Sequence, residues 1–244
     1  MSDSRAQRRR YQRVLLKLSG ESFCPPGGFG VEAGALRAIA GEVASAAGAG
    51  AQIAVVVGGG NIIRGARLSQ EGLIDQATAD SMGMLGTIIN ALALTHALEA
   101  SGRAARCMSA VAVPGIAEPY DRLTGERHLE AGRVVVLGGG VGSPFFTTDS
   151  GAALRASELK CDAVLKATKV DGVYSADPKK DARATRYDRL TLAEAIDRRL
   201  GVMDLGALAM CLERRMPVLV FDFDKPGNIR RAIEGESIGT LATP

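Results

Sequence analysis

With 244 residues, the chain is long enough for one large α/β domain or two small ones. Apolar residues make up 46%, Ala and Gly are frequent and Trp is absent, which favours helices packed closely on a sheet over an aromatic-rich β-sandwich. A net charge of +3 argues against a dedicated nucleic-acid binder, and no apolar run approaches the roughly 18 residues of a membrane span.

The opening MSDSRAQRRR (1–10) carries arginines with no apolar stretch after them, so it reads as a disordered basic arm rather than a secretory signal. RVLLKLS (13–19) predicts a short strand ending at Gly20, and a Gly/Pro loop, PPGGFG (25–30), precedes a helix over 34–50. IAVVVGGG (53–60) predicts a buried strand stopped by three glycines. A long helix follows over about 75–100, with small residues at Gly83 and Gly86 where a second helix, from another copy, could pack.

The theme repeats in RVVVLGGG (133–140), a second strand ending in three glycines, with a helix over 149–159 behind it. DAVLKAT (162–168) predicts another strand, and KVDGVYSADP (169–178) a hairpin with turns at Asp171-Gly172 and Asp177-Pro178. Helices over 191–200 and 205–215 lead to a last core strand at 217–223. Such β–α alternation implies an α/β fold with a mostly parallel sheet covered on both faces, here one domain over 11–244 with two lobes.

Ligands in such sheets sit beyond the carboxyl ends of the strands. Glycines recur at that position three times: Gly20, Gly58 to Gly60, and Gly138 to Gly140 with Gly142. Glycine allows close approach, so successive N–H groups can surround phosphate oxygens. No Walker lysine follows any of these loops, and no GxGxxG closes. The cations must come from elsewhere. Lys17 and Lys166 each stand inside an apolar strand, where an ammonium is costly unless an anion meets it. Asp149 and Asp204 are carboxylates that could orient those lysines, although each also suits a helix N-cap. Arg64 could reach a phosphate from the second loop, and Tyr174 could pack on a flat base.

Other chemistries lack their residues. Cys24, Cys107, Cys161 and Cys211 lie far apart with no zinc spacing, which reads as reduced thiols in a cytoplasmic protein. His96 and His128 have no nucleophile motif beside them and read as ordinary helix residues.

The motifs LLKLSGE, GFG, VVVGGGNIIRG, DSMGMLGT, GSPFFTTDS, LKATKVDGVYSADP, VMDLGA and KPGNIRRA run from about Tyr11 to Thr240. In this set the chain resembles the bacterial UMP kinases of the amino-acid-kinase (carbamate-kinase-like) superfamily. The resemblance implies a three-layer αβα sandwich, with the N-terminal lobe mainly on the UMP side and the C-terminal lobe mainly on the ATP side. It implies reversible transfer of the ATP γ-phosphoryl group to UMP in pyrimidine nucleotide biosynthesis, with Mg²⁺ accompanying ATP and no metal site of the protein's own. A homohexamer, activation by GTP and inhibition by UTP also follow from the likeness.

Carried over residue by residue, Lys17, Lys166, Asp149 and Asp204 would be catalytic. Lys17, Leu18, Ser19, Gly20, Gly60, Arg64, Thr168, Tyr174 and Asp177 would bind ATP. Gly59, Asp80, Val141, Gly142, Ser143, Pro144, Phe145, Phe146, Thr147 and Thr148 would bind UMP. Pro25, Pro26, Gly27, Gly28, Phe29 and Gly30 would form a loop linked in relatives to GTP activation. The chain departs from the family where Val141 and Ser143 replace Thr and Asn, which removes side-chain groups that would read uracil. Two other readings keep the fold: a kinase with a carboxylate or carbamate acceptor, and a non-catalytic nucleotide-binding assembly.

Overall fold

The computed structural model describes residues 11–64, 69, 72–178, 180–181 and 183–244; the arm at 1–10 lies outside them. Strands β1 (Arg13–Leu18), β2 (Gln52–Val57), β3 (Ala105–Ser109), β4 (Glu118–Pro119), β5 (Val134–Gly138), β6 (Ala163–Thr168), β7 (Arg189–Thr191), β8 (Val218–Asp222) and β9 (Gly239–Thr243) form one sheet. Their order is β4-β3-β5-β2-β1-β6-β8-β9-β7, and every pairing is parallel except β8 with β9. The central apolar strands are therefore buried on both faces, as their unbroken Val/Leu/Ile runs require. Antiparallel β9 was not legible in the sequence, so 217–223 is not the last core strand.

Helices α1 (Ala33–Gly48), α2 (Gln76–Ala100) and α7 (Asn228–Glu234) cover one face. Helices α3 (Arg122–Glu130), α4 (Thr148–Glu158), α5 (Leu192–Asp197) and α6 (Leu205–Glu213) cover the other. The period of two along β1 decides where its residues go. Val14, Leu16 and Leu18 enter the core under α1, α2 and α7, while Leu15 enters the core under α4 to α6. Each such fully buried side chain contributes roughly 1.5–3 kcal/mol. Lys17 shares the Leu15 face, and Lys166 on β6 likewise shares the face of Val164.

Helix α2 is long and apolar enough by length and composition to cross a membrane, contrary to the reading of the sequence. Its buried side, including Ile88, Asn90, Ala91, Leu94 and Leu98, packs on the sheet and on α1. Gly86 is also spent inside the chain: a Cβ there would lie 3.3 Å from both Gly59 O and Ile62 Cβ. That glycine serves a loop contact within the chain. Segment 169–178 forms no hairpin within itself: Tyr174 bridges Arg186 antiparallel, with Ser175 N donating to Thr185 O and Tyr187 N to Val173 O.

Candidate active site

The sheet reverses its winding about β1, which has β2 on one side and β6 on the other. This is the crevice position where open α/β sheets bind ligands. Lys17 and Lys166 are direct partners in the β1/β6 register, so two ammonium groups leave neighbouring strands on one face. Asp149, in the first turn of α4, lies over both. Its Oδ1 is 3.0 Å from Lys17 Nζ and its Oδ2 accepts from Lys166 Nζ at 2.8 Å. The three side chains are only 13–14% exposed. Lys166 donates a second bond to Val202 O at 2.7 Å, whereas Lys17 has only Asp149 among the described residues. One lysine is pinned on two sides, and the other keeps donors for an incoming anion.

Burial alone would push the Asp149 carboxyl up; the attraction of Lys17 and then Lys166 outweighs it and holds the group below its ordinary value. Burial depresses Lys166, Asp149 opposes that, and Lys17 adds to it. Because the folded pKa of Asp149 is lowered, its contribution to stability is present above the unfolded value of about 3.9 and is lost as pH falls through the folded one. Between pH 6 and pH 3, the wild-type melting temperature is therefore expected to fall further than that of Asp149→Asn; parallel curves would refute it.

Among the described residues Asp204 makes no hydrogen bond to either lysine, although its charge favours the protonated form of Lys166. It caps α6 by accepting from Ala207 N at 2.9 Å, and it accepts from the hydroxyls of Thr147 and Ser150. Thr147 in turn caps α4, its Oγ1 accepting from Asp149 N at 3.0 Å and Ser150 N at 3.2 Å. So Thr147, not Asp149, is the N-cap, and its hydroxyl is already used in joining the starts of α4 and α6. That arrangement fixes the backbone on which Asp149 stands.

The glycine loops meet at the same edge. Gly58 N donates to Leu18 O at 2.9 Å, which uses that carbonyl and leaves the buried Leu18 side chain in the core. A Cβ on Gly20 would sit 2.6 Å from Gly60 N, and one on Gly59 would sit 2.7 Å from Gly83 O, so these loops pack backbone to backbone. Ser19 caps the 3-10 helix Gly20–Phe23 that follows β1. The third loop passes through Gly139 and Gly142 at φ of 77° and 87°, conformations that glycine adopts without strain. Gly139 N is held by Thr87 Oγ1 at 2.7 Å.

Val141, Gly142, Ser143, Pro144, Phe145 and Phe146 form the rim before α4, with Phe145 and Phe146 at 72% and 59% exposure. Phe145 is held at φ 72° while its N–H donates to Asp80 Oδ2 at 2.8 Å. Asp80 Oδ1 accepts from Gln76 Nε2 at 2.7 Å, so Asp80 ties α2 to this rim. Thr148 opens α4 below it.

Beyond β6, Thr168 Oγ1 donates to Val170 O at 2.7 Å and Tyr174 OH to Asp171 Oδ1 at 2.8 Å. Asp177 lies in the exposed turn beyond them, with Lys180 Nζ 3.9 Å from its Oδ2. Arg64 pairs with exposed Glu21 at 3.3 Å. In the loop of Pro25, Pro26, Gly27, Gly28, Phe29 and Gly30, Phe29 is 79% exposed. The sequence reading missed Ser150, Asn61, Asn90 and the Val202 carbonyl; only Asn90, a polar residue in the apolar stretch IINALAL, carried a visible signal.

The model of the Amino acid kinase family matches residues 12–222. A uridylate kinase from Azorhizobium caulinodans is 52% identical over 234 residues, covering 96% of this chain and 98% of the relative. The crystal structure of a UMP kinase from Bacillus anthracis superposes with a TM-score of 0.93 at 41% identity, over 96% of this chain and 97% of the other. That of a UMP kinase from Ureaplasma parvum gives 0.89 at 33% identity, over 96% and 100%. A uridylate kinase from Archaeoglobus fulgidus gives 0.74 at 33%, over 94% and 99%. With the family model spanning most of the residues and a relative this similar along nearly the whole length, the chain belongs to the amino acid kinase family.

Proposed function

We propose that the chain is a UMP kinase, which transfers the γ-phosphoryl group of ATP to UMP reversibly, giving UDP and ADP. The observation that carries the reading is the in-register lysine pair bridged by Asp149 at the carboxyl edge of the sheet. The phosphate of UMP is already an anionic nucleophile, so the reaction needs placement and charge stabilisation more than a strong base. Two fixed cations meet that need, and the absence of a nucleophile motif agrees with it.

In this reading Lys17 and Lys166 meet the charge that spreads over the transferred group's oxygens, and Asp149 keeps both ammonium groups aimed and charged. Gly20 and Gly60, with Ser19, receive ATP phosphates through backbone N–H groups. Thr168, Tyr174 and Asp177 border the adenosine on the C-terminal side. Gly59 and the rim from Val141 to Thr148 receive UMP. Asp80 accepts from the ribose; each of its oxygens uses one lone pair in the present bonds and retains another. Val141 offers no hydroxyl to uracil, so base recognition rests more on backbone groups.

A Mg²⁺ accompanying ATP would neutralise charge on its phosphates. The chain works as one domain over 11–244, in a cytoplasmic homohexamer that serves pyrimidine nucleotide synthesis, with GTP and UTP as effectors. ADP formation from ATP, measured in parallel with UMP, CMP, aspartate and acetylglutamate as acceptors, tests the core of this reading. Turnover with UMP is expected. Turnover with a carboxylate acceptor alone, or tight ATP binding without any turnover, would sink it.

A further inference from the structure

Under the glycine loops lies a pair of side chains that the mechanism above leaves without a role. Asn61 and Asn90 are 1% and 0% exposed and face each other. Asn61 Nδ2 donates to Asn90 Oδ1 at 3.0 Å, and Asn90 Nδ2 donates to Asn61 Oδ1 at 2.6 Å. Each amide also reaches outward: Asn61 Nδ2 donates to Gly30 O at 2.7 Å, and Asn90 Nδ2 to Gly58 O at 2.7 Å. Gly30 N returns a bond to Asn61 O at 2.8 Å. A Cβ on Gly20 would fall 2.6 Å from Asn61 Oδ1, so the loop after β1 rests on the same amide.

Burying two amides is unfavourable unless each group is matched, and here every N–H and carbonyl oxygen of the pair is used. Beside Asn90 the buried side of α2 carries Gly86, Ala91 and Leu94 with one polar residue a turn away, Thr87, and packing alone would be met by a leucine at this position. A matched pair joining the GFG loop, the Gly58–Gly60 loop and α2 specifies position.

We infer that Asn61 and Asn90 form a clasp of positioning residues that presets the Gly58–Gly60 backbone for phosphate and couples it to the GFG loop. Neither touches a substrate; both act through the backbone they hold. The inference rests on the UMP kinase reading.

The decisive variant is Asn90→Asp. An ionised carboxylate would face two acceptors, Gly58 O and Asn61 Oδ1, and would break both bonds. The protonated acid restores one donor, and burial raises the pKa of such a carboxyl. Among the described residues no ionisable side chain bonds to either amide. Turnover and KM for UMP and ATP would be measured from pH 5.5 to 8.5 beside the wild type, with thermal melts at each pH. At pH 8.5, kcat is expected to be about 30-fold below wild type with both KM values changed little, since a small misplacement is costly to rate. At pH 5.5 the deficit should shrink to about 5-fold.

Amide hydrogen exchange of segments 27–31 and 58–62 should be faster in the variant at pH 8, in both segments together. A folded variant whose deficit does not change with pH overturns the inference, as does faster exchange in one segment only. If Asn90→Asp does not fold at pH 8, Asn61→Asp undergoes the same series, with the same direction expected. Should neither fold, the pair is a folding determinant only and the inference falls. A wild type that makes no UDP overturns the parent reading instead, and the exchange measurement still decides the clasp.

Discussion

Asp149→Asn is expected to lower kcat by a factor on the order of 10²–10³, the loss seen when one preorganised electrostatic group is removed from a site. The substitution keeps the shape of the side chain and removes its charge. Lys17 and Lys166 leave adjacent strands in register, and adjacent strands lie about 4.8 Å apart, so two ammonium groups would then face each other without a counter-ion. At that separation and an effective dielectric near 20, the repulsion is about 3–4 kcal/mol. Breaking a buried pair by removing one partner costs a similar 3–5 kcal/mol, or roughly 6–20 °C in melting temperature at this size.

The two losses have separable signatures. Burial and Lys17 already depress Lys166, and without Asp149 only the weaker attraction of Asp204 opposes them. A lysine with a lowered folded pKa destabilises the fold while protonated, and that penalty is relieved as pH rises through the folded value. The stability deficit of Asp149→Asn should therefore be smaller at pH 9.5 than at pH 7. Melting curves and initial rates at both pH values check this; a variant with wild-type turnover would remove Asp149 from the catalytic group.

The second large effect separates the two lysines. Lys17→Met and Lys166→Met should each lower kcat by about 10²–10³, because each removes one cation from the position where charge develops. Their stabilities should differ. Lys17→Met loses the attraction to Asp149 but leaves the Asp149–Lys166 pair intact and removes a buried like charge, so its melting temperature should fall less than that of Lys166→Met. Lys166→Met also orphans Val202 O, a buried acceptor whose loss of partner costs about 1–3 kcal/mol, so its melting temperature should fall. Equal stability of the two variants would contradict the assigned roles, and so would near-normal turnover in either.

Much of the architecture was legible because its determinants are local. Runs such as VLLKL, IAVVV and VVVL mark buried parallel strands by composition alone, and glycines mark where they stop. The two lysines stood out because an ammonium in an apolar strand requires a partner. Strand β9 and the short β7 were not visible, since their existence depends on pairing with β8 and with each other. A three-residue strand has no periodicity of its own to read.

Which carboxylate serves the lysines was a tertiary decision. Asp149 and Asp204 both stand near the starts of helices and look alike in one dimension. The packing of α4 over β1 and β6 aims Asp149 at the lysines, while Thr147 and Ser150 occupy Asp204. Nor did the sequence show that Gly86 serves a loop within the chain, or that Asn61 and Asn90, 29 residues apart, share two hydrogen bonds. By itself the sequence determined the alternation, the layers and the chemical kinds available at the crevice, because these follow from residue type and period. Register and long-range packing alone decided which groups meet there, because contacts between distant segments leave no local pattern.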